Sequence, residues 1–481
     1  MNATASHNAA PPPAGPTYWL EQALAAESPG GCPPVTGTVR ADVCIVGGGY
    51  TGLWTALELK RASPDLEIVV TEAQSCGLGA SGRNGGWMTS WYDELDRLVE
   101  RFGLEQGLWL ADESSAAIDR IETFVGEHEI DCQLRRRGSL WISTTPGQDE
   151  VIEGPLNACR ELDRGAFVER LGSSEVERRT GSRISRGGVL IRDSAAVQPA
   201  LLARGLRRVA LRQGIRIFEG SPMLQLVRSA PAAVLTPAGR IEADQVVLAT
   251  NAWAARIREL RNAIFVVGTQ IVLTEPIPER LAHLDWREGL LLGDARLFVH
   301  YAQVTPDGRI AFGRGGGAIG PFGRVVPKHF IDPRTAATVA ADFREWFPEL
   351  RDVRLTHAWG GPVDRAPGHL PFVGSLGEHG NVHYGIGYSG NGVGPSALVG
   401  RILASRTLGL DDAYGRCALV SGPPGHLPPE PLCSAGAAIV RSVVQRTEER
   451  EQHGIAPGPV GRLSKRLVGF SIPPLRRRRL P

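Results

Sequence analysis

No Cys-x-x-Cys pair occurs among the seven cysteines (Cys32, Cys44, Cys76, Cys132, Cys159, Cys417 and Cys433), so neither a zinc knuckle nor a redox dithiol is encoded. Their odd number and scatter predict reduced thiols. No uninterrupted apolar run reaches the ~18 residues of a membrane span, so none is expected. The opening "MNATASHNAAPPPAGPTYWL" lacks the basic and apolar regions of a secretory signal, which predicts a cytoplasmic protein. Charge of one sign is also missing: the net value of +2 gives no reason to expect nucleic acid as a partner. Lysine is scarce, at Lys60, Lys328 and Lys465 alone. No metal-ligand cluster, P-loop lysine or Ser-His-Asp order stands out.

What is present is organised. Residues 1–17 read as a disordered, Ala/Pro-rich start. "ADVCIVGGGYTG" opens a βαβ unit: Val43–Val46 is a short buried strand, "LWTALELKRA" a helix and "DLEIVVTEA" the next strand. Residues 90–190 read as mostly helical, and "IEADQVVLATNAWA" as another buried strand. From about 263 to 330 alternating runs around the "TPDG" turn predict an antiparallel sheet inserted into the parallel fold. The expected architecture is α/β. A doubly wound, Rossmann-like parallel sheet (segments about 40–95, 190–260 and 355–410) carries a second domain on an antiparallel sheet (about 96–189 and 261–354). Residues 18–410 form this two-domain region, and 411–481 read as an accessory Pro/Arg-rich extension ending in a solvated "RRRR".

Gly47, Gly49 and Gly52 form G-x-G-x-x-G between strand and helix, the arrangement in which bare backbone approaches a pyrophosphate at a helix N-terminus. Glu72 ends the following strand, where a carboxylate can accept both hydroxyls of an adenosine ribose; an acid there argues against a 2′-phosphate and leaves NAD or FAD. The next stretch, "GASGRNGG" (residues 79–86), favours FAD: its glycines leave backbone bare for a large planar cofactor. Arg83 is expected to neutralise phosphate charge, with Ser81 and Asn84 supplying hydrogen bonds. In "GYSGNGV", Gly390, Asn391, Gly392 and Val393 would open a helix whose N–H groups stabilise the charge of a reduced flavin.

In order along the chain, "ADVCIVGGGYTG", "EAQSCGLGASGRNGG", "AAVQPALLARGL", "VVLATNAWA", "DRAPGHLPFVG" and "HYGIGYSGNGV" resemble one family. It is the superfamily of FAD-dependent amine and amino-acid oxidases that includes D-amino-acid oxidase, glycine oxidase and sarcosine oxidase, with the γ-glutamylputrescine oxidase-like flavoproteins nearest. The resemblance spans roughly residues 40–405 and implies hydride transfer from a C–N bond of an amine or amino acid to FAD, with oxygen or another acceptor reoxidising it. It also implies that Ala80, Ser81, Arg83, Asn84, Gly85 and Gly86 lie beside the flavin, that Met223 meets adenine through its backbone, and that Thr250 and Asn251 lie beneath the cofactor.

Asp364–Pro371 holds none of the cysteine that sarcosine oxidases couple to flavin, and Gly79–Ser90 holds no histidine, so non-covalent FAD is expected. The family's oxygen-activating lysine has no counterpart in "GRIAFGRGG". On the substrate side the candidates are His300 and Tyr301, of which alternation lets only one face the flavin, together with Trp359 and Arg365. Arg365 could bind a carboxylate or pair with Asp364.

Overall fold

The strand Gly37–Val46 sits at the centre of the first sheet, flanked in parallel by Gly239–Leu248 on one side and Ile68–Thr71 on the other in a computed structural model of the chain. The structure describes residues 17–27 and 30–469; the remainder of the N-terminal segment and the "RRRR" run lie outside them. Two neighbours leave no solvated edge, and Val43–Val46 are accordingly buried. The main path of this eight-stranded sheet runs Phe372–Leu376, Val382–Ile386, Gly239–Leu248, Gly37–Val46, Ile68–Thr71 and Arg216–Phe218, parallel except at its first pair, and Ala232–Leu235 and Gln225–Val227 add an antiparallel branch on Gly239–Leu248. The helices Tyr50–Ala62 and Pro395–Thr407 pack together on one face, so closely that a Cβ on Gly400 would lie 2.7 Å from Trp54 Cβ.

A second sheet of eight strands is mostly antiparallel. It contains the hairpin His300–Val304/Ile310–Arg314 built on "TPDG", as the alternation predicts. It is larger than the sequence suggests. Ser139–Ser143, Val168–Gly172 and Gly187–Ile191 all join it, inside the stretch read as mostly helical. Five-residue apolar runs such as "GGVLI" fit a buried strand or a buried helix turn equally, and only their partners decide. The strand Leu355–Arg365 also belongs here, paired with Phe265–Thr274 from Phe265↔Arg365 onward, so the nucleotide-side sheet resumes only at Phe372.

Thr17 is ordered rather than part of a disordered start. It caps the helix Tyr18–Ala25 by accepting from the Leu20 N–H, and its hydroxyl donates to Gly82 O at 3.2 Å. Trp19, 1% exposed, donates to Asn84 O at 3.1 Å, and Gln198 reaches back to Trp19 O at 2.8 Å. This helix therefore clamps the glycine-rich loop from outside. Two further helices, Leu432–Gln452 and Pro459–Gly469, form the C-terminal extension. Among the described residues no helix is long and apolar enough to cross a membrane.

Candidate active site

The glycine loop is sterically enforced. Gly47 has φ +114°, and a Cβ there would lie 2.4 Å from Ala249 O, on the neighbouring strand. A Cβ on Gly52 would lie 1.9 Å from Gly47 O, a backbone contact that no rotamer change relieves. Gly49 caps the helix Tyr50–Ala62, so the loop ends on free N–H groups at a positive helix end. Glu72 stands beside it, accepting from Gly48 N at 2.8 Å and Gln74 N at 3.0 Å. Burial raises its proton affinity, and these two N–H groups oppose the rise.

Residues 79–86 fold as a short turn, Ala80–Gly82, followed by an asparagine knot. Asn84 donates to Ala80 O and Ser81 O, and its own oxygen accepts from Gly86 N at 2.7 Å. Ser81 Oγ accepts from Tyr50 N at 2.9 Å, which joins this loop to the first. Gly85 and Gly86 are held bare by the opposite wall: a Cβ on Gly85 would lie 2.8 Å from the Tyr301 ring, and one on Gly86 2.1 Å from Val197 O.

Arg83, expected to neutralise phosphate charge, borders the cavity and is anchored on backbone carbonyls. The side chain is buried at 2% exposure, donates to Leu78 O (2.9 Å) and Gly360 O (3.1 Å), and lies over the Phe330 ring. Burial lowers its pKa to about 10. It binds the loop to the strand Leu355–Arg365. Trp359, a substrate-side candidate, stands outside the cavity wall: its indole donates to Arg83 O at 2.9 Å and packs edge-on against Trp19.

Of the alternating pair, Tyr301 faces the cavity and bonds Thr269 at 2.6 Å, with burial raising its pKa to about 12. His300 points through the opposite face, fully buried between Asp294 (2.8 Å) and Asp342 (3.0 Å). Burial alone would lower its pKa, but the two carboxylates raise it above 6.5. His300 therefore ties the back of this wall together and does not border the cavity.

One cavity of about 1680 Å³ collects the rest, well above the ~300–1,000 Å³ of an ordinary small-molecule cleft. Gly47, Gly49, Glu72, Ala80, Ser81, Arg83, Asn84 and Gly85 line it, as do Met223, Thr250, Asn251, Gly390, Asn391, Gly392 and Val393. Gly52 and Gly86 stand behind its wall as spacers. Asn391 is fixed by Thr89 (3.1 Å), and the loop leads into the helix Pro395–Thr407. Arg365 lines the other end, hydrogen-bonded to His369 at 2.8 Å and pushed down to about 10 by burial. The neighbouring Asp364 points to the Gly387 N–H instead, and burial raises its pKa to about 7.

Several wall residues carry no legible signal in the sequence: His369, the edge-on indole pair Trp87 and Trp141 (5.3 Å), and five residues of the C-terminal extension. Thr250 Oγ1 and the indole N–H groups of Trp87, Trp141 and Trp253 are buried in this wall without partners among the described residues. Unmet polar atoms around so large a cavity, with the Glu72 carboxylate and a helix N-terminus in its wall, fit a dinucleotide-sized cofactor such as FAD. None of the seven cysteines lines it.

Comparison with known proteins agrees. γ-Glutamylputrescine oxidoreductase of Escherichia coli is 29% identical over 407 residues, covering 83% of this chain and 92% of that protein. The probable oxidoreductase OrdL of Haemophilus influenzae is 27% identical over 387 residues, covering 79% and 86%. The crystal structure of glycine oxidase from Geobacillus kaustophilus superposes with a TM-score of 0.66 at 21% identity, over 79% of this chain and 98% of that one. The family described as FAD dependent oxidoreductase matches residues 42–406, most of the chain, and the protein belongs to it.

Proposed function

We propose that the protein oxidises a carbon–nitrogen bond of an amine or amino acid, using FAD held without a covalent bond. The reading rests on one observation: a single cavity joins the glycine loop and Glu72 to Tyr301, the Trp87/Trp141 pair and Arg365. The similarity to γ-glutamylputrescine oxidoreductase and glycine oxidase supports this donor class. When bound, FAD supplies the hydride acceptor for the carbon bearing nitrogen, and the imine product hydrolyses in water.

The chain's own residues position and insulate. The Gly47–Gly52 loop and the N-terminus of the helix Tyr50–Ala62 hold the pyrophosphate, Glu72 accepts the ribose hydroxyls, and the backbone at Met223 meets adenine. Ala80, Ser81, Asn84, Gly85, Thr250 and Asn251 bound the ring system, and the Gly390–Val393 N–H groups face the edge where negative charge grows. Tyr301 and the indole pair keep water from the amine, while Arg365 pairs a carboxylate when the substrate is an amino acid. Tyr301, with its pKa raised to about 12, is no base at neutral pH, and the amine is taken to bind already deprotonated. The unpaired thiols suit a reducing compartment such as the cytoplasm.

A second reading keeps the chemistry and changes the acceptor to a quinone or carrier protein. It is favoured by the cavity wall: of the described lysines Lys60, Lys328 and Lys465 only the last lines it, and that one is tied to Glu451. Anaerobic titration of the yellow holoprotein with amines and amino acids tests the main reading: bleaching of the flavin band is expected, and a protein that takes up no FAD or is reduced by none of them refutes it. Stoichiometric peroxide under air would remove the second reading. Acid precipitation should leave the flavin in the supernatant.

A further inference from the structure

The C-terminal extension lies beyond the family-matched residues 42–406, yet it walls the substrate end of the cavity. Arg441 on the helix Leu432–Gln452 donates to Gly316 O at 2.5 Å, and Lys465 on the helix Pro459–Gly469 pairs with Glu451. Between these anchors, Glu448 accepts from the Leu297 N–H at 2.8 Å. Leu297 begins the segment that leads to Tyr301, and both line the cavity with Glu448.

Glu448 is 4% exposed, and its second carboxylate oxygen, Oε2, has no partner among the described residues. The neighbouring cations are paired by charge with other carboxylates: Arg296 lies 2.9 Å from Asp294, Arg314 lies 2.8 Å from Asp342, and Lys465 is on Glu451. Burial raises the proton affinity of Glu448, while the charges of Arg296 and Lys465 favour its ionised form and that of Asp294 opposes it. An acceptor left unmet in a buried wall is costly unless a ligand meets it, and a cationic N–H donor meets a carboxylate best.

We propose that Glu448 is a specificity residue, recognising a second, cationic nitrogen at the far end of the amine substrate. The assignment rests on the amine reading above. It gives the extension a function: to deliver an unmet carboxylate oxygen to a part of the wall where the carboxylate of the family-matched region, Asp294, is already held by Arg296 and His300. A substrate ending in a methyl group would leave Oε2 unmet, and one ending in a carboxylate would be repelled.

The test uses full-length holoprotein and two matched pairs of compounds: a linear alkane diamine against the monoamine of the same length, and lysine against norleucine. Wild type is expected to prefer the member with the second cation in kcat/KM. Glu448→Gln keeps the shape but exchanges one acceptor oxygen for an NH2 donor and loses the charge, and should shrink that preference roughly 10- to 100-fold, through KM rather than kcat. Glu448→Asp should recover part of it. Flavin absorbance and thermal midpoint report whether each variant is folded and loaded. Equal kcat/KM for both members in wild type overturns the assignment without any variant, as does a preference that Glu448→Gln leaves intact. Oxidation confined to compounds without a second cation overturns it while the amine reading stands. Failure of every amine and amino acid to reduce the flavin removes both.

Discussion

Replacing Glu72 by glutamine tests the cofactor site at its most informative point. The carboxylate has one oxygen on Gly48 N at 2.8 Å and the other on Gln74 N at 3.0 Å, and remaining lone pairs to receive a ribose diol. Glutamine keeps one acceptor and turns an NH2 toward one of those two backbone donors. A charge-assisted bond is lost and a donor is left facing a donor, at a cost of about 2–3 kcal/mol. FAD affinity should therefore fall roughly 30- to 150-fold. Quenching of FAD fluorescence by apoprotein measures this directly, and the rise in thermal midpoint on adding a fixed FAD concentration should shrink with it. Burial raises the Glu72 pKa above its ordinary 4.5, so wild type should lose FAD as pH falls through that raised value, and the glutamine variant should not share the dependence. A variant Kd within about threefold of wild type would refute the reasoning, since the ribose would then bind elsewhere.

Gly52→Ala places a Cβ 1.9 Å from Gly47 O, so strand and helix must separate; a loss of about 1–3 kcal/mol and poor FAD loading are expected by thermal denaturation and absorbance. Arg83→Met strips the donors from Leu78 O and Gly360 O, and should cost about 2–4 kcal/mol of stability while FAD affinity changes less. The reverse result, lost affinity at an unchanged thermal midpoint, would support its phosphate role. His300 has a folded pKa above 6.5, so its charged pairing with Asp294 and Asp342 stabilises fully below that pH and fades as pH rises through the folded value. The difference in thermal midpoint between wild type and His300→Gln should accordingly be largest near pH 6 and shrink in alkali, and a pH-independent difference would contradict the assignment.

The cofactor half of the cavity was legible because its constraint is local. A strand, a tight turn and a helix N-terminus must follow one another within a few residues, so Gly47, Gly49, Gly52 and Glu72 mark themselves. The stretch 79–86 announced bare backbone in the same way. A charge in that stretch did not announce its direction: whether the Arg83 guanidinium meets a phosphate or the Gly360 carbonyl depends on a strand hundreds of residues downstream. Alternation separated His300 from Tyr301 but could not say which face was wet, because that depends on where Asp294 and Asp342 arrive. The substrate end was least legible. Trp87 and Trp141, His369 and Glu448 come from four distant segments, and none carries a spacing that foretells the others.

The helix Tyr18–Ala25 has a consequence for how the protein comes into being. It is made before its partners Asn84, Gln198 and Trp359, which follow at widening intervals along the chain. Until Trp359 emerges the helix cannot complete its seat, and the loop it clamps stays unbraced. Cofactor loading is thereby deferred until nearly the whole catalytic region exists, and a bulky fusion placed directly before Thr17 would interfere with flavin uptake rather than with chemistry.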